Sequence, residues 1–251
     1  MHCELNYTKL DDEQKNYVEN INISANNLLN IVNDILDISK IEAGKIELEI
    51  VEFDIEKMID SIIKVVMYSA HSRKNEIVCD IDSSLPVFFE GDEGKIKQIL
   101  LNILNNAVKF TENGTILISV KKLSENRSEI ELEFKISDNG IGIAPEVQNK
   151  IFQPFMQGDQ SYTKKYQGTG LGLAISKRLS EIIGGKIEFE SKINMGTTFA
   201  VKVALKKSRK NMHNIQELDF KLEKLNLLFI DDNALNREIT AKMLEEKGAV
   251  I

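Results

Sequence analysis

Asn102 and Asn106 stand four residues apart in the run Asn102-Ile103-Leu104-Asn105-Asn106-Ala107-Val108-Lys109-Phe110, so on a helix their carboxamides share one face. Amide oxygens stacked one turn apart can hold a hard cation such as Mg2+, which prefers oxygen ligands and keeps several waters. Two polar residues on a solvent face would show the same spacing, and for the pair taken alone both readings stand. A second cluster, Asp138-Asn139-Gly140-Ile141-Gly142-Ile143, directly follows a strand-like segment. Its carboxylate can accept from an exocyclic amine such as adenine carries, and its glycines let backbone approach closely; a ligand-free tight turn uses the same residues. The third cluster, Gly168-Thr169-Gly170-Leu171-Gly172-Leu173, opens a helical pattern, where free amides and the positive end of the dipole suit phosphate. No Gly-Lys-[Ser/Thr] follows to make a Walker loop. The segment Ser161-Tyr162-Thr163-Lys164-Lys165-Tyr166, polar where a dinucleotide fingerprint needs a strand, argues against that motif too.

Apolar residues at helical spacing predict helices over 55–70 (Ile55, Met58, Ile59, Ile62, Ile63, Val66, Met67), 92–109 and about 170–183, the last broken by Gly184-Gly185. Alternation predicts strands from Lys45 to Val51, near 76–82 and 87–90, and over 115–123, 129–137, 186–191 and 197–205. The turn Glu125-Asn126-Arg127-Ser128 makes the 115–137 pair antiparallel. A short apolar helix is expected near Val147–Phe155. Residues 46–206 thus form an α/β sandwich, a mixed sheet with helices on one face, and the class is α+β.

Two further segments flank this unit. Val18, Ile21, Ala25, Leu28, Val32 and Ile35 recur at heptad steps along a helix from 11 to 43, widened by Leu29 and Leu36 and stopped by Gly44. A stripe that broad belongs in a bundle whose partners lie in another protomer or in sequence absent here. Residues 207–224 read as a polar linker. Then Leu225 to Ile230 form an apolar strand ending in Asp231-Asp232, a helix follows from Ala234, and a second strand would begin at Ile251. Both ends are expected to be truncated.

Composition narrows the partners. With 32 Lys+Arg against 39 Asp+Glu the net charge is −7, and the basic run Lys206 to Lys210 is short, which argues against non-specific nucleic-acid binding. Cys3 and Cys79 have no metal-ligand spacing and fit a reducing compartment. No stretch reaches the ~18 apolar residues of a membrane span, so a soluble, cytoplasmic location is expected, with a membrane anchor in a longer parent left open.

Taken together and in this order, the three clusters resemble the catalytic and ATP-binding domain of sensor histidine kinases, which share the Bergerat fold with gyrase, Hsp90 and MutL. Asn102 to Thr111 is similar to the family's N box and Asp138 to Gly142 to its G1 box. Ile151-Phe152-Gln153-Pro154-Phe155 matches the F box, Gly168 to Gly172 the G2 box, and Gly196-Thr197-Thr198-Phe199 the closing glycine-threonine motif. The resemblance implies ATP and Mg2+ as ligands. Asn102 and Asn106 would serve the metal and phosphate, Lys109 would approach phosphate, Phe110 would flank the nucleotide, and Asp138 would bind adenine. Gly140, Gly142, Ile143, Phe155, Lys164, Lys165, Tyr166, Gly168, Thr169, Gly170, Leu171, Gly172 and Thr197 complete the implied nucleotide site, with a lid from about Ala144 to Gln167. Gln98 stands where many members carry an acid, so no general base is assigned.

The resemblance extends outward. Residues 1–45 are similar to the second helix of the kinase dimerisation hairpin, 46–206 to the catalytic domain, and 225–251 to the start of a response-regulator receiver, Asp231 and Asp232 matching its Mg2+-binding acids. It implies a hybrid histidine kinase, homodimeric in its complete form, that works with a receiver domain and a phosphotransfer protein. The family's phosphoacceptor lies in a His-Glu-x-x-[Arg/Lys]-Thr/Ser-Pro run, and His2, His71 and His213 have no such context, so acceptor histidine and receiver aspartate are expected outside this chain. Two other classes stay open: another Bergerat ATPase or anti-sigma-type serine kinase, and a nucleotide-gated interaction module without kinase activity.

Overall fold

The computed structural model describes residues 11–156 and 170–208. The linker, the Leu225 strand, Asp231, Asp232 and the lid positions Lys164, Lys165, Tyr166, Gly168 and Thr169 lie outside the described residues.

Helix α1 (Asp12–Glu42) starts from a capping box in which Asp11 and Gln14 bond reciprocally, and ends where Gly44 adopts φ +63°. Its upper apolar stripe is exposed, Ile21 and Leu28 by more than half. Only its lower end meets the domain: Ile38 and Ile41 pack on the core beside Ile46, and Gln98 Nε2 donates to Asp37 Oδ2 at 2.6 Å.

Strand β1 (Val51–Asp54) leads into α2 (Ile55–Ser72), capped by Asp54 accepting from the Lys57 amide. The stripe Ile55, Met58, Ile59, Ile62, Val66 and Ala70 is buried, as its spacing requires. The strand expected over Lys45–Val51 is not formed there: the ladder begins only at Val51 and runs on to Asp54. Its partner β3 (Phe88–Gly91) offers four residues, the register ends at Val51↔Gly91, and Asp92 then turns into a helix, so residues 45–50 find no ladder. The Glu49 amide donates instead to Asp92 Oδ2. That buried aspartate caps α3 (Glu93–Phe110) through its other oxygen, which accepts from the Lys95 amide. Strands β2 (Glu76–Ile81), β4 (Thr115–Glu125) and β5 (Glu129–Asp138) follow. The helix expected near 147–155 is one turn, α4 (Pro145–Gln148), with turns beyond it. Then come α5 (Gly172–Ile182), β6 (Lys186–Lys192) and β7 (Gly196–Lys207).

The sheet runs β1-β3-β7-β5-β4-β2, and β6 pairs along the first half of β7, on the same edge that β3 meets at Lys206 and Lys207. Only β2–β4 is parallel; the expected antiparallel β4–β5 hairpin is present. Alternate residues of the central strands (Ile116, Ile118, Val120; Ile130, Leu132, Phe134, Ile136; Phe199, Val201, Val203, Leu205) are buried against α2, α3 and α5. Each such side chain contributes about 1.5–3 kcal/mol. The opposite face carries charge pairs such as Lys202–Glu188. This is the expected α+β sandwich with a mixed sheet.

Candidate functional site

The site residues gather where the C-terminal half of α3 meets the carboxyl end of β5. Apolar residues Ile99, Ile103 and Ala107 turn one side of α3 into the core, which leaves Asn102 and Asn106 together on another. Asn102 Nδ2 donates to the Gly172 carbonyl (3.2 Å) and to Ser176 Oγ (3.3 Å), tying α3 to the start of α5 and leaving Oδ1 uncommitted. The Asn106 carboxamide is half-buried and has no hydrogen-bond partner among the described residues. One turn on, Lys109 Nζ lies 5.0 Å from the Phe110 ring centroid with no carboxylate beside it among the described residues. Burial pushes its ammonium below the usual lysine range, and the nearby Arg73 charge adds to that.

Asp138 is the last residue of β5, opposite Thr197 on β7 and Ile116 on β4. Its Oδ1 accepts from the Gly140 amide (2.9 Å) and the Thr197 amide (3.3 Å). Burial pushes the carboxyl above the usual aspartate value, while those two amides and the Thr111 hydroxyl pull it down. Gly140 packs against the end of α3 so closely that a Cβ there would overlap the Phe110 carbonyl and come within 2.8 Å of Thr111 Oγ1. That approach lets the Ile141 amide reach the Phe110 carbonyl at 3.3 Å. The sequence thus needs glycine here for contact and not for turn geometry.

The rest of the loop is held by the β6–β7 hairpin. Gly142, at φ +69°, lies on the Lys192 backbone, and the Ile143 amide donates to Ser191 Oγ at 2.8 Å. Ser191 Oγ also meets Thr197 Oγ1 at 2.9 Å, and Gln148 Nε2 bonds the Ile143 carbonyl. Phe152 packs edge-on against Phe189 and Phe199, under the Lys177 ammonium. Phe155 is largely exposed, its amide bonded to the Gly170 carbonyl. Leu171 is buried at the N-terminal end of α5, and Gly172 follows as the first helical residue.

The structure therefore brings together Asn102, Asn106, Lys109, Phe110, Asp138, Gly140, Gly142, Ile143 and Thr197, with Gly172 against Asn102 and Gly170 against the Phe155–Met156 backbone. Among the described residues no group of three or more His, Cys, Asp or Glu is arranged to hold a metal. Sequence reasoning missed three supports. Buried Asn75 donates to the Val108 and Thr111 carbonyls and accepts from the Gly114 amide, which fixes the end of α3. Ser191 and Gln148 orient the Ile143 loop. None lies in a motif, and their partners are 5 to 48 residues away, beyond the reach of periodicity.

Residues 91–207 match the model of the histidine kinase-, DNA gyrase B-, and HSP90-like ATPase family, and residues 1–44 match the His Kinase A (phospho-acceptor) domain. The chain is 44% identical over 196 residues to hybrid signal transduction histidine kinase B of Dictyostelium discoideum, covering 78% of this chain and 10% of that protein. It is 41% identical over 192 residues to the signal transduction histidine-protein kinase BarA of Escherichia coli K12, covering 76% and 21%. The crystal structure of full-length ShkA in complex with AMPPNP superposes with a TM-score of 0.69 at 33% identity, over 97% of this chain and 49% of that one. The chain thus spans between about a tenth and two fifths of the length of the curated relatives it matches. No described helix is long and apolar enough to cross a membrane.

Proposed function

The chain belongs to the histidine kinases, residues 91–207 to their ATPase domain and residues 1–44 to their phospho-acceptor domain, and from that premise we propose that it donates the γ-phosphoryl of ATP to a histidine in a two-component phosphorelay. The observation that carries the reading is Asp138, a carboxylate anchored by two amides and neutralised by no cation among the described residues. An acceptor so fixed complements the exocyclic amine of adenine. Phe110 flanks the base, and Gly140, Gly142, Ile143 and Thr197 shape its edge.

Lys109 is a partly buried cation without an acid, and a phosphate oxygen beside it relieves that cost. The amides of Gly168, Thr169, Gly170, Leu171 and Gly172 and the lid residues Phe155, Lys164, Lys165 and Tyr166 complete the phosphate contacts. The free Asn106 carboxamide and the spare Asn102 oxygen fit Mg2+, which when bound neutralises charge on the phosphates. The acceptor imidazole attacks the γ-phosphorus, a P–N bond forms, and the bond to the β,γ-bridging oxygen breaks with its electrons leaving on ADP. Positioning and charge neutralisation supply the rate, with no covalent chemistry from Asn102, Asn106 or Lys109. The homodimer, the receiver with Asp231 and Asp232, and a cytoplasmic setting belong to the same proposal.

Incubation with labelled Mg-ATP tests it. His2, His71 and His213 stand in no acceptor context, so the chain alone should acquire no acid-labile phosphate and should transfer it to a supplied hairpin helix carrying the acceptor histidine. Binding of ATP without transfer to any such hairpin would favour the nucleotide-gated module. Robust labelling of the chain alone at one of its three histidines would overturn the assignment of the acceptor.

A further inference from the structure

Thr111 ends α3 in an extended conformation and is 1% exposed. Its backbone is fully used: the amide donates to the Ala107 carbonyl at 3.0 Å, and the carbonyl accepts from Asn75 Nδ2 at 2.9 Å. Its side chain is wedged between two glycines. A Cβ on Gly114 would come within 2.7 Å of its methyl, and one on Gly140 within 2.8 Å of its hydroxyl. Yet Oγ1 completes no hydrogen bond, the one buried side-chain polar atom of the described residues left so. Valine would fill the same volume without burying an unpaired hydroxyl. Gly140, which packs on this hydroxyl, donates its amide to Asp138 Oδ1 at 2.9 Å, so the hydroxyl and the carboxylate lie on either side of one residue.

The two groups are half-satisfied in complementary senses. Asp138 Oδ1 has two amide donors, while Oδ2 takes no hydrogen bond from a described residue; Thr111 has a hydrogen and no acceptor. We propose that Thr111 is a positioning residue for nucleobase selection, its hydroxyl turning onto the Asp138 carboxylate and holding it as a fixed, ionised acceptor for a 6-amino purine. The inference rests on the reading of Asp138 as the base-recognising acid. A carboxylate held by donors cannot present a proton to a 6-oxo purine, so the device rejects guanine and hypoxanthine as much as it accepts adenine. Without the hydroxyl the buried acid protonates more readily and becomes a donor, which the 6-oxo group can use.

The test is the ratio of ATP to ITP affinity, measured by titration calorimetry on the full chain. Thr111→Val should lower ATP affinity about tenfold, the equivalent of one hydrogen bond to a charged group, while ITP binding holds or tightens. Thr111→Ser should restore the native ratio. If Thr111→Val does not fold, judged by its melting curve, Thr111→Ala carries the same comparison. Equal loss of ATP and ITP would show a role in shape alone, and an unchanged ratio would equally refute the proposal. Asp138→Asn separates the two layers. If it leaves ATP affinity unchanged, the reading of the site fails; if it weakens ATP while Thr111→Val does not, only the positioning role fails.

Discussion

Replacement of Gly196 by alanine isolates the contact on which the Asp138 end of the candidate site depends. Gly196 opens β7 at φ +89°, and a Cβ there would overlap the Asp138 carbonyl and come within 2.8 Å of Asn139 Cα. Both neighbours are backbone, so neither can rotate aside. The conformational cost of alanine at positive φ is about 1–2 kcal/mol. Displacement of a packed backbone adds about 1–3 kcal/mol. A total near 4 kcal/mol lowers the melting temperature by ~12 °C in a protein of this size. Gly184 is the control, because at φ +74° it carries the conformational cost with nothing within 4 Å of an added Cβ. Gly184→Ala should therefore cost about 1.5 kcal/mol, or ~4 °C. Because the shift at Gly196 also pulls the Thr197 amide from Asp138 Oδ1, ATP affinity should fall about fivefold there and stay constant at Gly184. Thermal melting and nucleotide titration of the two variants decide the matter. Equal melting temperatures and equal ATP affinities would refute the steric reasoning.

Asn75→Ala removes three hydrogen bonds around the end of α3 and should cost about 3–4 kcal/mol in urea denaturation with the slope unchanged, and Asn75→Asp, which sets a buried carboxylate oxygen against the Val108 and Thr111 carbonyls, should cost at least as much. Acid titration should show two separate effects, one on stability and one on nucleotide affinity, from carboxyls shifted in opposite directions. Glu125 is held down to about 2 by Lys122 and Lys207, and Glu188 to about 2 by Lys202 and Lys186, so their support is present above the ordinary value of 4.5 and is lost as pH falls toward 2. Both are exposed, so a Glu125→Gln, Glu188→Gln double variant should flatten that limb slightly, and added salt should erase the difference. Asp138 has the opposite sign. Its carboxyl is raised by burial, so ATP affinity should decline on acidification while GTP affinity does not, starting above the usual aspartate range; a decline common to both would contradict its role.

Helices α2 and α3 were legible because each has one buried stripe and an aspartate cap, Asp54 and Asp92, at its start. The candidate site was legible as motifs, since Asn102, Asn106 and Asp138 lie in separate runs that the fold places around the end of α3 and the end of β5. Pairing was less so. Residues 45–50 alternate as a strand would, but alternation reports faces and not the presence of a neighbour, and β3 is too short to supply one. Sheet order was also hidden, because β7 carries both β6 and β3 on one edge and no local pattern specifies that. Asn75, outside every motif, and the role of Thr111, named only as the end of one, escaped for a related reason. An asparagine at a turn and a threonine after a helix are ordinary in sequence, and their importance comes from contacts made across 27 to 39 residues.

The place of β7 in the sheet has a bearing on biosynthesis. Among the described strands it is the last to be made, yet it lies between β3 and β5 and supplies Thr197 opposite Asp138. Until the ribosome has released residues through Lys207, β1 and β3 have no bridge to β5, and the hydrophobic sides of both halves stay open. Pairing at that distance along the chain is slow to form. The Thr197–Asp138 pairing, and with it the proposed nucleotide site, is thus complete only once β7 has entered the sheet.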